Sequence, residues 1–343
     1  MTALTWPRRD RRVVVRWILA LLGAAVVFGL LVLTKGANPF TVYRSMLTTV
    51  TSSSSVTGIL LKATPLILAA LAVAVPARTG MVNVGGEGQL VMGGVCAMGV
   101  SLAAGGHLPG ALTLVLMCVG AAAGGALWAG LAALLKLLVG INEAVSTLLL
   151  NYLAINVMLF LIFDRWKDPN GSGQPATRAL HESERFPLIG TSKVSDALIL
   201  AVAAVLVVWW LLRSTRWGFH LRVVGGNPEA ARRAGIHVGG ALLSAMLVGG
   251  ALAGLGGVAQ LAGAEFKLRQ GFLVSYGYTA FLASWLARHR PVNVAVAAVV
   301  LAAISVAGDS LQLDSSLPAA TVNILMALVL LAVFGWTRAK AAA

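Results

Sequence analysis

Apolar blocks of about twenty residues recur along almost the whole of this 343-residue chain, and a helix needs about that length to cross a hydrocarbon layer roughly 30 Å thick. They can be placed at 16–33, 58–75, 82–104, 108–135, 144–163, 195–212, 239–262, 272–287, 292–307 and 317–336. In hydrocarbon every backbone N–H and C=O must find its partner within the protein, so blocks of this kind fold as helices. Composition agrees: 58% of residues are hydrophobic and 11% charged, far too little polar surface to cover a soluble domain of this length. The expectation is an all-α polytopic membrane protein of about ten transmembrane helices, forming one transmembrane domain over residues 1–343.

The net charge of +14 would suit a nucleic-acid binder if it were gathered on a soluble domain, but it is spread between apolar blocks. Topology explains it better, and no nucleic-acid partner is expected. With an even number of spans both termini face one side. Placing them in the cytoplasm assigns there Arg8, Arg9, Arg11, Arg12, Arg16, Arg78, Lys136, Arg213, Arg216, Arg222, Arg232, Arg233, Arg288, Arg290, Arg338 and Lys340, the majority of the 26 basic residues. Residues 1–15 then form a basic cytoplasmic N-terminus, and the long connections 34–57 and 164–194 lie outside. Both connections read equally as solvated linkers or as contacts for a delivered substrate or its carrier. The first apolar block is long enough for a span, and no small-residue cleavage site of a signal peptide follows it.

The basic interruption at 213–240 reads as a cytoplasmic loop carrying a short helix. Asn227 suits an N-cap, Pro228 the first turn and Glu229 the positive helix end. Arg232 and Arg233 suit the negative end, and Gly235 can terminate the helix. A short capped helix held outside the bilayer between long spans is suited to receiving force from a soluble partner; an ordinary connecting loop is the alternative.

Polar residues inside spans are costly and usually face a cavity or a partner, at roughly 2.5–3.5 kcal/mol for a central carboxylate on insertion scales. The third block carries Asn83, Glu87 and Gln89 among Gly85, Gly86 and Gly88. This is either a broken helix lining a pathway, with Glu87 in it, or a glycine-mediated helix contact with Glu87 placed shallowly. The fifth block opens with Asn142, Glu143, Ser146, Thr147, Asn151 and Tyr152. Glu143, Thr147 and Asn151 recur every four residues and so share one helix face, which would point into the bundle. Asn142 could instead cap a helix starting at Glu143, and the two roles can coexist. Glycines between 249 and 257 suit close helix packing. Gln260, Glu265, Tyr276, Tyr278, Ser284 and Trp285 are weaker candidates for facing a substrate.

The chain has no GxxxxGK[ST] phosphate loop, no HExxH and no GxSxG elbow, so neither direct nucleotide binding of that kind nor enzymatic catalysis is supported. Its five histidines have no metal-ligand spacing, and Cys96 and Cys118 lie in apolar blocks as packing residues. No metal and no cofactor bound by this chain is expected.

Three ordered blocks carry a resemblance: RTGMVNVGGEGQLVMGG from Arg78, GINEAVSTLLLNYLA from Gly140, and GFHLRVVGGNPEAARRAGI from Gly218. They resemble the signature blocks of ABC-importer permeases of the branched-chain amino acid and simple-sugar superfamily, and within it the nucleoside-type permeases that work with basic-membrane-protein lipoproteins. The resemblance implies a multi-pass protein of the bacterial inner membrane, paired as a heterodimer with a second homologous permease. It also implies cytoplasmic ATPases that use the ATP, and an extracytoplasmic substrate-binding lipoprotein. Gly226, Asn227, Pro228, Glu229, Ala230, Ala231, Arg232 and Gly235 would form the ATPase-coupling loop, and Asn83, Glu87, Gln89, Glu143, Thr147 and Asn151 would lie along the translocation path. Nucleosides are the implied substrates, with nucleobases, simple sugars and branched-chain amino acids as alternatives. Two other classes stay open: an ion-coupled secondary transporter using Glu87 and Glu143, and a purely structural subunit.

Overall fold

The structure is a computed structural model that describes residues 9–104, 106–171, 173–190, 192–315, 321 and 324–328. Among these residues the regular structure is entirely helical, with only two isolated β-bridges. The helices are α1 (Arg9–Thr34), α2 (Pro39–Thr51), α3 (Ser53–Ala77), α4 (Gly86–Ala104), α5 (Gly110–Leu134), α6 (Glu143–Phe163) and α7 (Ala197–Ser214). They continue with α8 (Arg216–Gly226), α9 (Pro228–Arg233), α10 (Val238–Gln260), α11 (Tyr276–Leu286) and α12 (Pro291–Ser315). Wide π turns extend α5 through Leu135–Val139 and α10 through Leu261–Glu265.

Among the described residues, seven helical segments are long and apolar enough to cross a membrane, and α1 with α2, bent by 117° between them, make an eighth candidate. The block at 272–287 departs from expectation, because only its 11-residue stretch Tyr276–Leu286 is helical. At 1.5 Å per residue that is about half a bilayer. The reason is local: Leu273 and Ser275 both have left-handed φ, at 57° and 67°, and end any helix coming from Phe272. The block at 82–104 is helical only from Gly86, residues 81–84 being non-helical. The expected span at 317–336 lies mostly outside the described residues, as do residues 1–8, Arg338 and Lys340.

The described residues fall into two compact units, Met1–Val56 with Ala303–Ala343, and Thr57–Ala302. In the first, Phe28, Val32, Val42, Leu311 and Leu325 form a buried apolar cluster, and the Thr49 and Ser310 hydroxyls meet at 2.8 Å. In the second, α10 packs against both α4 and α5 through small residues. A Cβ added to Gly93 would stand 2.4 Å from the Cα of Gly254, so the α4 and α10 backbones touch there and only glycine fits. The glycines of α10 thus serve packing.

The long connection at 164–194 is anchored, not free. Thr177 and Leu180 donate backbone N–H groups to the carbonyls of Leu268 and Phe266 at 3.0 and 2.7 Å. Buried Glu184 accepts a hydrogen bond from the Ser101 hydroxyl at the end of α4, at 2.8 Å.

Candidate functional site

The polar residues expected along a path come together at the start of α4. Asn83, Glu87, Gln89, Glu143, Thr147 and Asn151 are all buried, none more than 7% exposed. Residues 81–84 are non-helical and lack the hydrogen bonds of a helix, and the polar face of α6 supplies partners instead. Val82 N donates to Glu143 Oε1 at 3.2 Å, Val84 N to Thr147 Oγ1 at 3.2 Å, and Gly88 N to Asn151 Oδ1 at 2.8 Å. Asn151 Nδ2 in turn donates to the Val84 carbonyl at 3.0 Å. The stripe on α6 thus meets Val82 and Val84 in the non-helical stretch and then Gly88 in the first turn of α4.

Asn83 and Gln89 exchange side-chain hydrogen bonds at 2.9 and 3.0 Å, closing the break between the non-helical stretch and α4. Asn83 also donates to the Ala72 carbonyl of α3 at 3.1 Å and accepts from Gly85 N at 3.0 Å. Asn142 caps α6, accepting from Ala144 N at 2.8 Å. The capping and inward-facing roles of this stretch thus coexist. Glu143 is paired on its second oxygen with Lys136 Nζ, which the chain reversal at Gly140 (φ 79°) brings back alongside it.

Glu87 meets the N-terminus of α11. Its Oε1 accepts from Ser275 N at 3.0 Å, while the Ser275 side chain makes no cap of its own. The carboxylate of one helix thus stands where a capping side chain of the next would stand, at the positive end of its dipole. A Cβ on Gly277 would lie 2.1 Å from Glu87 N, so glycine is needed for that approach. Glu87 Oε2 is buried with no hydrogen-bond partner among the described residues. Sequence reasoning found Glu87 but not Ser275 and Gly277; the glycine between Tyr276 and Tyr278 was the available signal.

Of the weaker candidates, Gln260 bonds to the Glu265 carboxylate at 3.1 Å, and Glu265 pairs with Arg269 at 2.9 Å. The Ser284 hydroxyl meets His289 Nδ1 at 2.9 Å.

The second site is α9. The Asn227 side chain accepts from Glu229 N and Ala230 N, both at 3.0 Å, with Pro228 at the first helical position. At the other end Gly235 (φ 79°) donates to Arg232 O and Ile236 N to Ala231 O, both at 3.0 Å, the double bond of a Schellman ending. Glu229 pairs with Arg232 at 2.8 Å and with Arg233 at 3.3 Å. The side chain of Ala231 is fully buried, while Gly226, Asn227, Pro228, Glu229, Ala230, Arg232 and Gly235 are exposed. α9 is therefore a rigid, doubly capped helix held by one small anchor. It follows α8, which lies against the turn after α3, where a Cβ on Gly225 would stand 2.1 Å from Arg78 O.

Residues 55–334 match the family of branched-chain amino acid transport system permease components. The chain belongs to that family. It is 35% identical to a glucose ABC transporter permease protein of Haloferax volcanii, over 94% of this chain and 88% of that one. It is 32% identical to a guanosine ABC transporter permease protein of Bacillus subtilis, over 78% and 77% of the two chains. With a nucleoside ABC transporter permease protein of Lactococcus lactis it shares 27% identity, over 89% and 88%. The chain is thus the multi-pass permease component of an ABC transporter, a transport subunit and not an enzyme.

Proposed function

We propose that this chain is one of two homologous permeases of a nucleoside importer in the bacterial inner membrane, driven through α9 by a separate cytoplasmic ATPase. The observation that carries the reading is the exposed, doubly capped helix with its single buried anchor. A helix that transmits displacement must keep its own shape when pushed, and caps at both ends provide this where six residues alone would fray. An extracytoplasmic binding lipoprotein would deliver substrate to the opposite face, where the anchored connection at 164–194 offers a fixed surface.

The buried assembly at the start of α4 supports a path beside it. Non-helical backbone at membrane depth is tolerated where it is buried in protein or lines a cavity, and here α6 and Glu87 hold it in one shape. Alternating access requires such a fixed element against which other helices move. An ion-coupled carrier would need carboxylates free to bind and release their ion, whereas Glu143 is committed to Lys136 and to Val82 N and Glu87 holds the start of α11 through Oε1, leaving only its Oε2 without a partner among the described residues.

Nucleoside as substrate rests on the guanosine and nucleoside permeases among the relatives. A sugar is the second reading, favoured by the glucose permease at 35% identity. Uptake of labelled guanosine, uridine and glucose into cells expressing this chain with its partner subunits separates them. ATPase-dependent guanosine uptake supports the proposal; ATPase-dependent glucose uptake alone replaces the substrate; uptake that survives an inactivated ATPase overturns the mechanism.

A further inference from the structure

Four arginines from three separate stretches of chain converge on one pocket of about 380 Å³: Arg78 after α3, Arg213 at the end of α7, Arg222 in α8 and Arg290 before α12. No lining residue is acidic, and none of the four forms an ion pair among the described residues. Their other contacts leave most of their donors unused. Arg78 Nη2 donates to the His289 carbonyl at 2.6 Å, while its Nε is buried without a partner. Arg222 donates to the Leu212 carbonyl. Arg213 lies over the Trp209 ring, 5.5 Å from its centroid. Burial, together with the charges of Arg222 and Arg290, pushes the Arg78 guanidinium below its ordinary value. Like charges held together without a counter-ion are a standing cost that an anion would relieve.

The rest of the lining says which anion. Trp209, Leu212, Pro291 and Val292 form its apolar wall, and Trp209 and Val292 are 41% and 50% exposed. The pocket lies where α7 ends and α12 begins, two segments long and apolar enough to span a membrane, which is the depth at which tryptophan and arginine meet lipid headgroups. Guanidinium groups match phosphate oxygens in forked geometry.

From this geometry we infer that the pocket is a phosphate-binding site occupied by the headgroup of an anionic phospholipid, with Arg78, Arg213, Arg222 and Arg290 as its donors. The acyl chains run along the apolar wall at Trp209 and Val292. Its lining includes no residue of α9 or of the assembly at the start of α4, and it requires no particular transported substrate.

The test uses the full chain in mild detergent. Its thermal unfolding midpoint and its retained lipid by native mass spectrometry are measured with phosphatidylglycerol, phosphatidylcholine or inorganic phosphate added. Phosphatidylglycerol is expected to be retained and to raise the midpoint, and phosphatidylcholine to do neither. In Arg213→Gln/Arg290→Gln, which removes two rim charges, apparent affinity for phosphatidylglycerol should fall about 30-fold while the lipid-free midpoint stays at the wild-type value. Arg78→Gln is a second probe, read only if its lipid-free midpoint is also unchanged. Protection by inorganic phosphate as strong as that by lipid keeps the phosphate site and makes free phosphate its source. Equal retention of the two lipids by wild type, or an undiminished preference in the double variant, overturns the proposal. So does a double variant that keeps its lipid but loses the ATPase partner, since the arginines then serve a protein surface.

Discussion

Replacing Asn151 with alanine strikes a contact that holds the non-helical stretch at 81–84 and the start of α4 against α6. The side chain both accepts from Gly88 N at 2.8 Å and donates to Val84 O at 3.0 Å, and it is 2% exposed. Alanine leaves a buried amide and a buried carbonyl without these partners, each costing about 1–3 kcal/mol. Interhelical hydrogen bonds in membrane proteins average nearer 0.6 kcal/mol, because the groups involved find substitutes. The two groups the substitution frees, Val84 O and Gly88 N, stand four residues apart at the spacing of a helical hydrogen bond and can in part pair with each other, so an intermediate scale applies. A loss of about 1–3 kcal/mol follows, on the order of 10-fold in the folded-to-unfolded ratio. Unfolding of the full chain in mild detergent by added dodecyl sulfate, followed by tryptophan fluorescence, reads it. Asn156→Ala is the matched control, because exposed Asn156 donates only to Tyr152 O of its own helix and its loss should stay within about 0.5 kcal/mol. If the two substitutions cost the same, the α6 face does not hold the non-helical stretch.

Glu87→Ala should expose the amides at the start of α11, raising hydrogen exchange at 275–278 while α4 stays protected, whereas Glu87→Gln keeps an acceptor and should leave exchange near wild type. Unchanged exchange in the alanine variant would refute the capping role. His289 carries a pH effect: burial, and then Arg78, push its imidazole from 6.5 down to about 4. The unfolded chain therefore takes up a proton that the folded chain refuses, and stability should fall as pH drops from 6.5 towards 4, by roughly 1–3 kcal/mol. His289→Asn, which suits the left-handed φ of 55° there, should flatten that slope in denaturant titrations; an equal slope would place its origin elsewhere. Gly235→Val should cost about 1–2 kcal/mol, since φ is 79° and a branched side chain is strained there; an unfolding midpoint unchanged from wild type would refute the αL requirement.

What could be read in advance was what neighbours along the chain determine. α9 was legible because Asn227, Pro228 and Gly235 cap a helix from within its own length. The inward stripe of Glu143, Thr147 and Asn151 was legible because helical spacing alone puts them on one face. Its purpose was not, because it depends on amides about sixty positions away, at Val82, Val84 and Gly88. The shortness of α11 was hidden for the opposite reason: residues 272–287 are apolar enough for a span, and nothing in Leu273 or Ser275 announces a left-handed φ. The arginine pocket was visible only as scattered positive charge, since the stretches that build it meet solely through the fold.

The central claim is that force reaches this permease through α9, and Glu229→Arg tests it most directly. The two ion pairs it removes are exposed and worth little to stability, about 0.3–0.5 kcal/mol each, so the fold should persist while the docking face loses its one carboxylate and α9 becomes wholly basic. Guanosine uptake and ATP hydrolysis are measured together in proteoliposomes holding this chain with its partner permease, ATPase and binding protein. The account predicts uptake in wild type, and in Glu229→Arg a loss of both uptake and substrate-stimulated hydrolysis at unchanged protein level. Wild-type uptake and stimulation in the variant would contradict it.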